Sequence, residues 1–244
     1  MKKLLLLFIL IIFKTHSFAQ SDNPTIPSTA ATLKSFIPNG WKMILETTGD
    51  LNKDGLADQV MVIENTNPKN VIANEGLGMN KLNTNPRILL VLFKTTANSY
   101  QLVVKNSGFI PSENDAESTC LADPLMQEGG ITIEKGLLKI YYQYWLSCGS
   151  WYVTNKEYTF RFQNQKFELI GYDDSSLHRS SGEMSSTRIN FSTHKMSETT
   201  GGNEFNEEEN KPKTVKRTIE SSKLLFLTTL NEDSIDDYLK KIIH

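Results

Sequence analysis

Histidine and cysteine are scarce in this chain, with four and two respectively among 244 residues. No histidine stands in the HExxH or HxH spacing that a hydrolytic zinc centre uses. A GxSxG elbow is missing, and so is a glycine-rich phosphate loop after a strand, which leaves no recognisable nucleophile or nucleotide site. A basic excess is missing too. The formal charge is −2, without the positive surface that nucleic acid or an acidic membrane requires. Past residue 20 no apolar run approaches the ~20 residues of a membrane helix. No internal repeat is visible, which excludes a solenoid. What remains is a 39% hydrophobic chain, enough to fill a core.

The first 19 residues read as an export signal. Lys2 and Lys3 form a positive start, residues 4–13 are unbroken apolar, and Ser17-Phe18-Ala19 offers a small-x-small cleavage pattern before Gln20. Ten apolar residues reach only ~15 Å as a helix, about half a bilayer core. Cleavage leaves 225 residues and removes three lysines, so that 23 basic and 28 acidic side chains give −5. The expected location is secreted or periplasmic. An oxidising compartment permits a single intramolecular pairing, Cys120 with Cys148. Closing that loop of about 29 residues stabilises the fold by roughly 3–4 kcal/mol.

Residues 20–40 read as a loose polar arm followed by a short helix that starts near Ser28 and ends at Pro38. From Trp41 the pattern becomes one of strands. Residues 43–46 and 59–64 flank a polar hairpin tip, and 65–86 form a long Asn/Gly/Pro-rich loop. The apolar run in 87–94 suits a central strand buried on both faces. Further strands are expected at 99–106, 131–133, 137–145, 151–153, 157–163 and 166–172. In 157–163, Tyr158, Phe160 and Phe162 alternate with polar residues, the period of a half-buried antiparallel sheet. Residues 173–183 read as a Ser-rich loop and 207–209 as a solvated acidic one. Strands are expected within 187–196 and 214–219, and a helix over 234–243 capped by Asn231 or Asp233. The fold class is mainly β: an antiparallel, sandwich-like domain with short N- and C-terminal helices. Its core spans 41–172, and 173–244 form a β extension with the terminal helix.

One segment carries specific chemistry. In Asp50-Leu-Asn52-Lys-Asp54-Gly55-Leu56-Ala-Asp58, side-chain oxygens recur at positions one, three, five and nine, with glycine at six. Calcium takes six to eight hard oxygen ligands, and alternate residues of a curled loop aim such oxygens inward. Gly55 permits the turn that brings the Leu56 carbonyl into the set. Position twelve, a bidentate Glu in an EF-hand, is Met61 here, and a strand-like run replaces the exiting helix. Without that ligand the expected affinity falls in the ~10⁻⁴–10⁻³ M range of extracellular modules.

The segment GDLNKDGLADQVMVIE, residues 49–64, resembles the calcium loop of FG-GAP/VCBS-type repeats found in integrin-like β-propellers. The resemblance implies a metal-stabilised β-hairpin, with Asp50, Asn52, Asp54, Leu56 and Asp58 at the matching ligand positions. A propeller repeats this unit, whereas here it occurs once. With FIPNGW (36–41), RILL (87–90), YTFRFQ (158–163) and FELIGY (167–172), the chain resembles secreted bacterial proteins that carry a single such loop. That resemblance implies no activity.

Aromatics crowd 141–152. Tyr142, Tyr144, Trp145 and Trp151 are candidates for stacking on a sugar, or for packing around the disulfide. His178 beside Asp173 or Asp174 is the other candidate base. The expected function is that of an exported calcium-binding module, non-catalytic, with an unidentified protein or glycan as partner and no nucleic acid. The alternative is a secreted hydrolase or carbohydrate-binding protein using the aromatic cluster.

Overall fold

Alternating and continuous apolar runs become strands through most of the chain. The structure, a computed structural model, describes residues 23–126, 130–206, 211–220 and 223–243. The signal at 1–19, the acidic loop at 207–209 and His244 lie outside the described residues. In order, the elements are β1 (Thr29–Ala30), a 3-10 turn (Leu33–Phe36), β2 (Trp41–Gly49), β3 (Asp58–Asn65), a 3-10 turn (Pro68–Asn70), β4 (Val71–Ala73) and β5 (Lys81–Asn83). Then come β6 (Arg87–Lys94), β7 (Tyr100–Asn106), β8 (Ile131–Glu134), β9 (Leu137–Trp145), β10 (Tyr152–Gln163) and β11 (Lys166–His178). The chain closes with β12 (Glu183–Asn190), β13 (Lys195–Asn203), β14 (Lys213–Thr218) and α1 (Glu232–Ile243).

Two antiparallel sheets stack. One has the order β1-β7-β6-β3-β2, the other runs β14 to β8 in reverse chain order, and β4-β5 form a small separate ladder. β6 sits mid-sheet, as its unbroken apolar run requires, and both its faces are covered. Val60, Val62, Leu89 and Val91 face Ile140, Tyr158, Phe160 and Tyr172 of the seven-stranded sheet in the main core. Met61, Ile63, Ile88, Leu90 and Leu92 face the other way, onto Phe36 and Trp41. α1 adds Ile235 and Leu239 to the main core. Asn231 caps it, its Oδ1 accepting from the Ser234 amide at 2.8 Å. Cys120 and Cys148 form a disulfide. Among the described residues, no helix is long and apolar enough to cross a membrane.

Several expectations need correction. The N-terminal helix is only the 3-10 turn, because Ala30 instead pairs with Tyr100 in β1–β7. The long loop at 65–86 contains the β4–β5 ladder. Residues 152–153 and 157–163 belong to one strand, β10, and Trp151 lies just before it. The boundary placed between 172 and 173 falls inside β11, and most of the loop at 173–183 is strand. β11 and β12 pair from Leu177↔Met184 to Gly171↔Asn190, so backbone hydrogen bonds carry serine-rich segments that hydrophobicity alone could not mark.

Candidate functional site

β2 and β3 pair out to Gly49↔Asp58, so the eight residues between them (50–57) are pinned at both ends. The tip is built from side chains that accept backbone amides. Asp50 Oδ1 accepts from Lys53 N at 2.7 Å and Asp54 N at 3.2 Å, and its Oδ2 accepts from Gly55 N at 3.0 Å. Asn52 Oδ1 takes the Asp54 amide at 3.0 Å, and Asp54 Oδ1 takes that of Leu56 at 2.8 Å. Lys53 and Gly55 turn the chain through positive φ, at 64° and 84°, which is costly for any residue but glycine. The loop lies against the β8–β9 turn, where a Cβ at Gly136 would come within 3.4 Å of the Asp50 carbonyl oxygen.

Asp58 behaves differently from the tip. It is fully buried, with Oδ2 accepting from Leu51 N at 2.9 Å and Oδ1 from Lys94 N at 3.0 Å. It therefore ties the loop to the end of β6, and Leu51 is drawn into the main core. Burial raises the Asp58 carboxyl above the usual carboxylate range. The amides of Leu51, Lys94 and Asn52 oppose that shift, while the neighbouring Asp54 charge adds to it.

Among the described residues, no three His, Cys, Asp or Glu side chains converge as a metal cluster. The loop's ligand set also draws on an amide and a main-chain carbonyl. Asp50 Oδ1 already accepts two amides, whereas Asp50 Oδ2 accepts one and the two Asp54 oxygens accept one each, from Leu56 N and Asn52 Nδ2, so these three keep a second lone pair. The donor set (three carboxylates, the Asn52 amide oxygen and the Leu56 carbonyl) thus matches a hard, oxygen-seeking cation in its chemistry.

The aromatic residues divide. Tyr142 is fully buried, its hydroxyl donating to the Phe109 carbonyl at 2.8 Å, so it is a core residue and not a stacking surface. Tyr144 donates to Glu232 of α1, and burial followed by that carboxylate's charge pushes its phenol far up. The Arg179 guanidinium lies 5.4 Å from the Trp145 ring and 5.9 Å from that of Trp151, although Trp151 remains 62% exposed. His178 Nδ1 contacts Ser181 Oγ at 2.7 Å. Asp173 pairs with Arg188, and Asp174 accepts from Tyr172, so neither orients His178 as a base.

A buried ion network escaped sequence reasoning. Arg87 Nε donates to Glu64 Oε2 at 2.9 Å, and its two Nη atoms grip Asp123 at 2.8 and 2.7 Å. Lys42 adds a bridge to Glu64 at 2.9 Å. Glu64 and Arg87 each end an apolar strand run, which was the available signal. Their partner Asp123 lies in an irregular loop that no periodicity marks. Comparison with known protein families, curated proteins and solved structures gave no match.

Proposed function

We propose that this chain is an exported, non-catalytic β module whose β2–β3 loop binds a calcium ion that stabilises the fold. The observation carrying this reading is the loop itself: alternate Asx side chains hold one turn of backbone by accepting its amides, on a base anchored by buried Asp58. Asp50, Asn52, Asp54 and Asp58 would offer side-chain oxygens, and Leu56 its carbonyl. Bound calcium supplies the positive charge that three carboxylates within nine residues lack. The chain's own residues order the tip, carry that order to β6 through Asp58, and seat Leu51 in the core.

The likeness of 49–64 to FG-GAP/VCBS loops supports the same reading. The signal-like N-terminus and the disulfide support a secreted or periplasmic setting. The partner is then a protein or a glycan. Thermal unfolding with calcium and with a chelator tests the proposal. The expected result is a melting temperature raised by calcium in the native chain and not in Asp54→Ala. Superimposed curves for the native chain would overturn it.

A further inference from the structure

The β2–β3 loop belongs to one sheet and touches the other. β2 is an outer strand of the five-stranded sheet, and β8 is an outer strand of the seven-stranded one. They lie in contact, yet among the described residues no backbone hydrogen bond joins them. Glycine makes the approach close. A Cβ added at Gly130 would stand 3.0 Å from Leu45 Cδ1, and one at Gly49 would stand 2.5 Å from Ile133 Cγ2. A Cβ at Gly136 would meet Lys53 Cε at 3.3 Å and the Asp50 carbonyl oxygen at 3.4 Å. The three meetings advance in step along both chains and define one seam, running from Leu45 to the loop tip.

Asp50 works on both sides of this contact. Its carboxylate accepts three amides of the tip, while its main-chain carbonyl faces Gly136 in the β8–β9 turn. Lys53, which turns the tip through a φ of 64°, lays its side chain over the same glycine. Leu51 shares the main core with Ile131 of β8 and Leu138 of β9. The turn it meets is stiff: Lys135 and Gly136 take φ values of 53° and 76° between the paired residues Glu134 and Leu137. Positive φ at both central positions is the geometry of a tight two-residue hairpin. A change in the order of the tip therefore presses on fixed backbone of the opposite sheet, and contacts this close leave no slack to absorb it.

We propose that the loop is a clasp between the two sheets: a cation bound at the β2–β3 tip closes the seam against the β8–β9 hairpin, and its loss loosens that seam. The inference rests on the cation reading and adds what the bound ion controls. The sheets can part here without breaking a hydrogen-bond ladder, so a modest change at the tip is enough to shift the balance between closed and loosened forms. Coupling of this kind is reciprocal. If the ion steadies the β8–β9 turn, then a disturbance of that turn weakens the hold on the ion, although the turn contributes no ligand.

The test uses the full chain with calcium as the probe. Amide hydrogen exchange is followed by mass spectrometry in calcium and in chelator. Calcium should slow exchange in 131–139 as well as in 50–58, and leave 183–203 unchanged. Calorimetric titration then compares two glycine variants. Gly136→Ala should weaken calcium binding about five- to tenfold, the lower end of ordinary site-to-site coupling. Gly149→Ala is the control: its φ of 81° imposes the same kind of backbone strain, but an added Cβ there has no neighbour within 4 Å, and its affinity should equal that of the native chain. Should Gly136→Ala not fold, Ile133→Ala, which removes the side chain packed against Gly49, should show the same weakening. Calcium binding by the native chain with slowed exchange confined to 50–58 would overturn the clasp alone. Native affinity in Gly136→Ala or in Ile133→Ala would do the same. Absence of calcium binding in the native chain would overturn the clasp and the cation reading together.

Discussion

Arg87→Met takes a guanidinium away from two carboxylates inside the protein. The side chains of Arg87 and Glu64 are each 2% exposed, and that of Asp123 is 14% exposed. Arg87 makes three charge-assisted contacts of 2.7–2.9 Å and one to the Pro111 carbonyl at 3.3 Å. Glu64 would keep Lys42 at 2.9 Å and Asn83 Nδ2 at 3.2 Å. Asp123 would lose both of its guanidinium contacts and be left charged in a largely dry site. Breaking one side of a buried pair costs about 3–5 kcal/mol, a large share of the ~5–15 kcal/mol that holds a domain together. Urea unfolding of the native chain, Arg87→Met, Asp123→Asn and the double variant measures it. The double variant should lose less than the two singles combined, because each single strands the other's partner. The acid side of the stability profile should shift as well. Burial alone would raise the Glu64 carboxyl, but hydrogen bonds and charge from Lys42 and Arg87 hold it below the usual range. Its contribution is therefore present above the unfolded-state pKa and disappears as pH falls through the lowered folded value. In Arg87→Met that loss should begin at higher pH. A cost under about 1 kcal/mol, the worth of a surface pair, would refute the reasoning.

Three further outcomes follow from the packing. Burial raises the Glu232 carboxyl, helped by Asp236 and Asp233 and opposed by Tyr144 and Lys156. A raised folded pKa gives stability that is full below the unfolded value and is lost as pH rises through the folded one. Glu232→Gln should remove that loss, and hydrogen-exchange protection of α1, followed as pH rises from the ordinary glutamate range, reads it; an unchanged pH slope would contradict the assignment. Cys120→Ser should lower unfolding stability by about 3–4 kcal/mol, measured in urea against the native chain, and the unreduced native chain should show no reactive thiol. Asn231→Ala should cost about 1 kcal/mol through loss of the α1 cap, read as a lower urea midpoint at constant slope.

Where side-chain pattern and burial coincide, the sequence was readable. β6 and β9 begin and end where their apolar patterns do, because each contributes directly to a core. Where the sheet outruns its covering layer, the pattern fades. Residues 173–178 of β11 and 183–188 of β12 carry serine, aspartate and threonine, since both faces there meet solvent or polar neighbours. They are strands because the ladder continues, which is a non-local fact. β10 looked broken for the same reason, with Thr154, Asn155 and Lys156 interrupting its aromatics. The loop at 50–58 was legible because its chemistry is local: Asx spacing and one glycine specify the turn. The Arg87–Asp123 contact spans 36 positions and joins a strand to an irregular loop, so no spacing rule reaches it.

The central claim, a cation held by the β2–β3 loop, is tested most directly by isothermal titration of calcium into chelator-stripped protein. The account predicts one saturable site with a dissociation constant of ~10⁻⁴–10⁻³ M, lost in Asp54→Ala. Heats indistinguishable from dilution, or a site of equal affinity that survives Asp54→Ala, would contradict it.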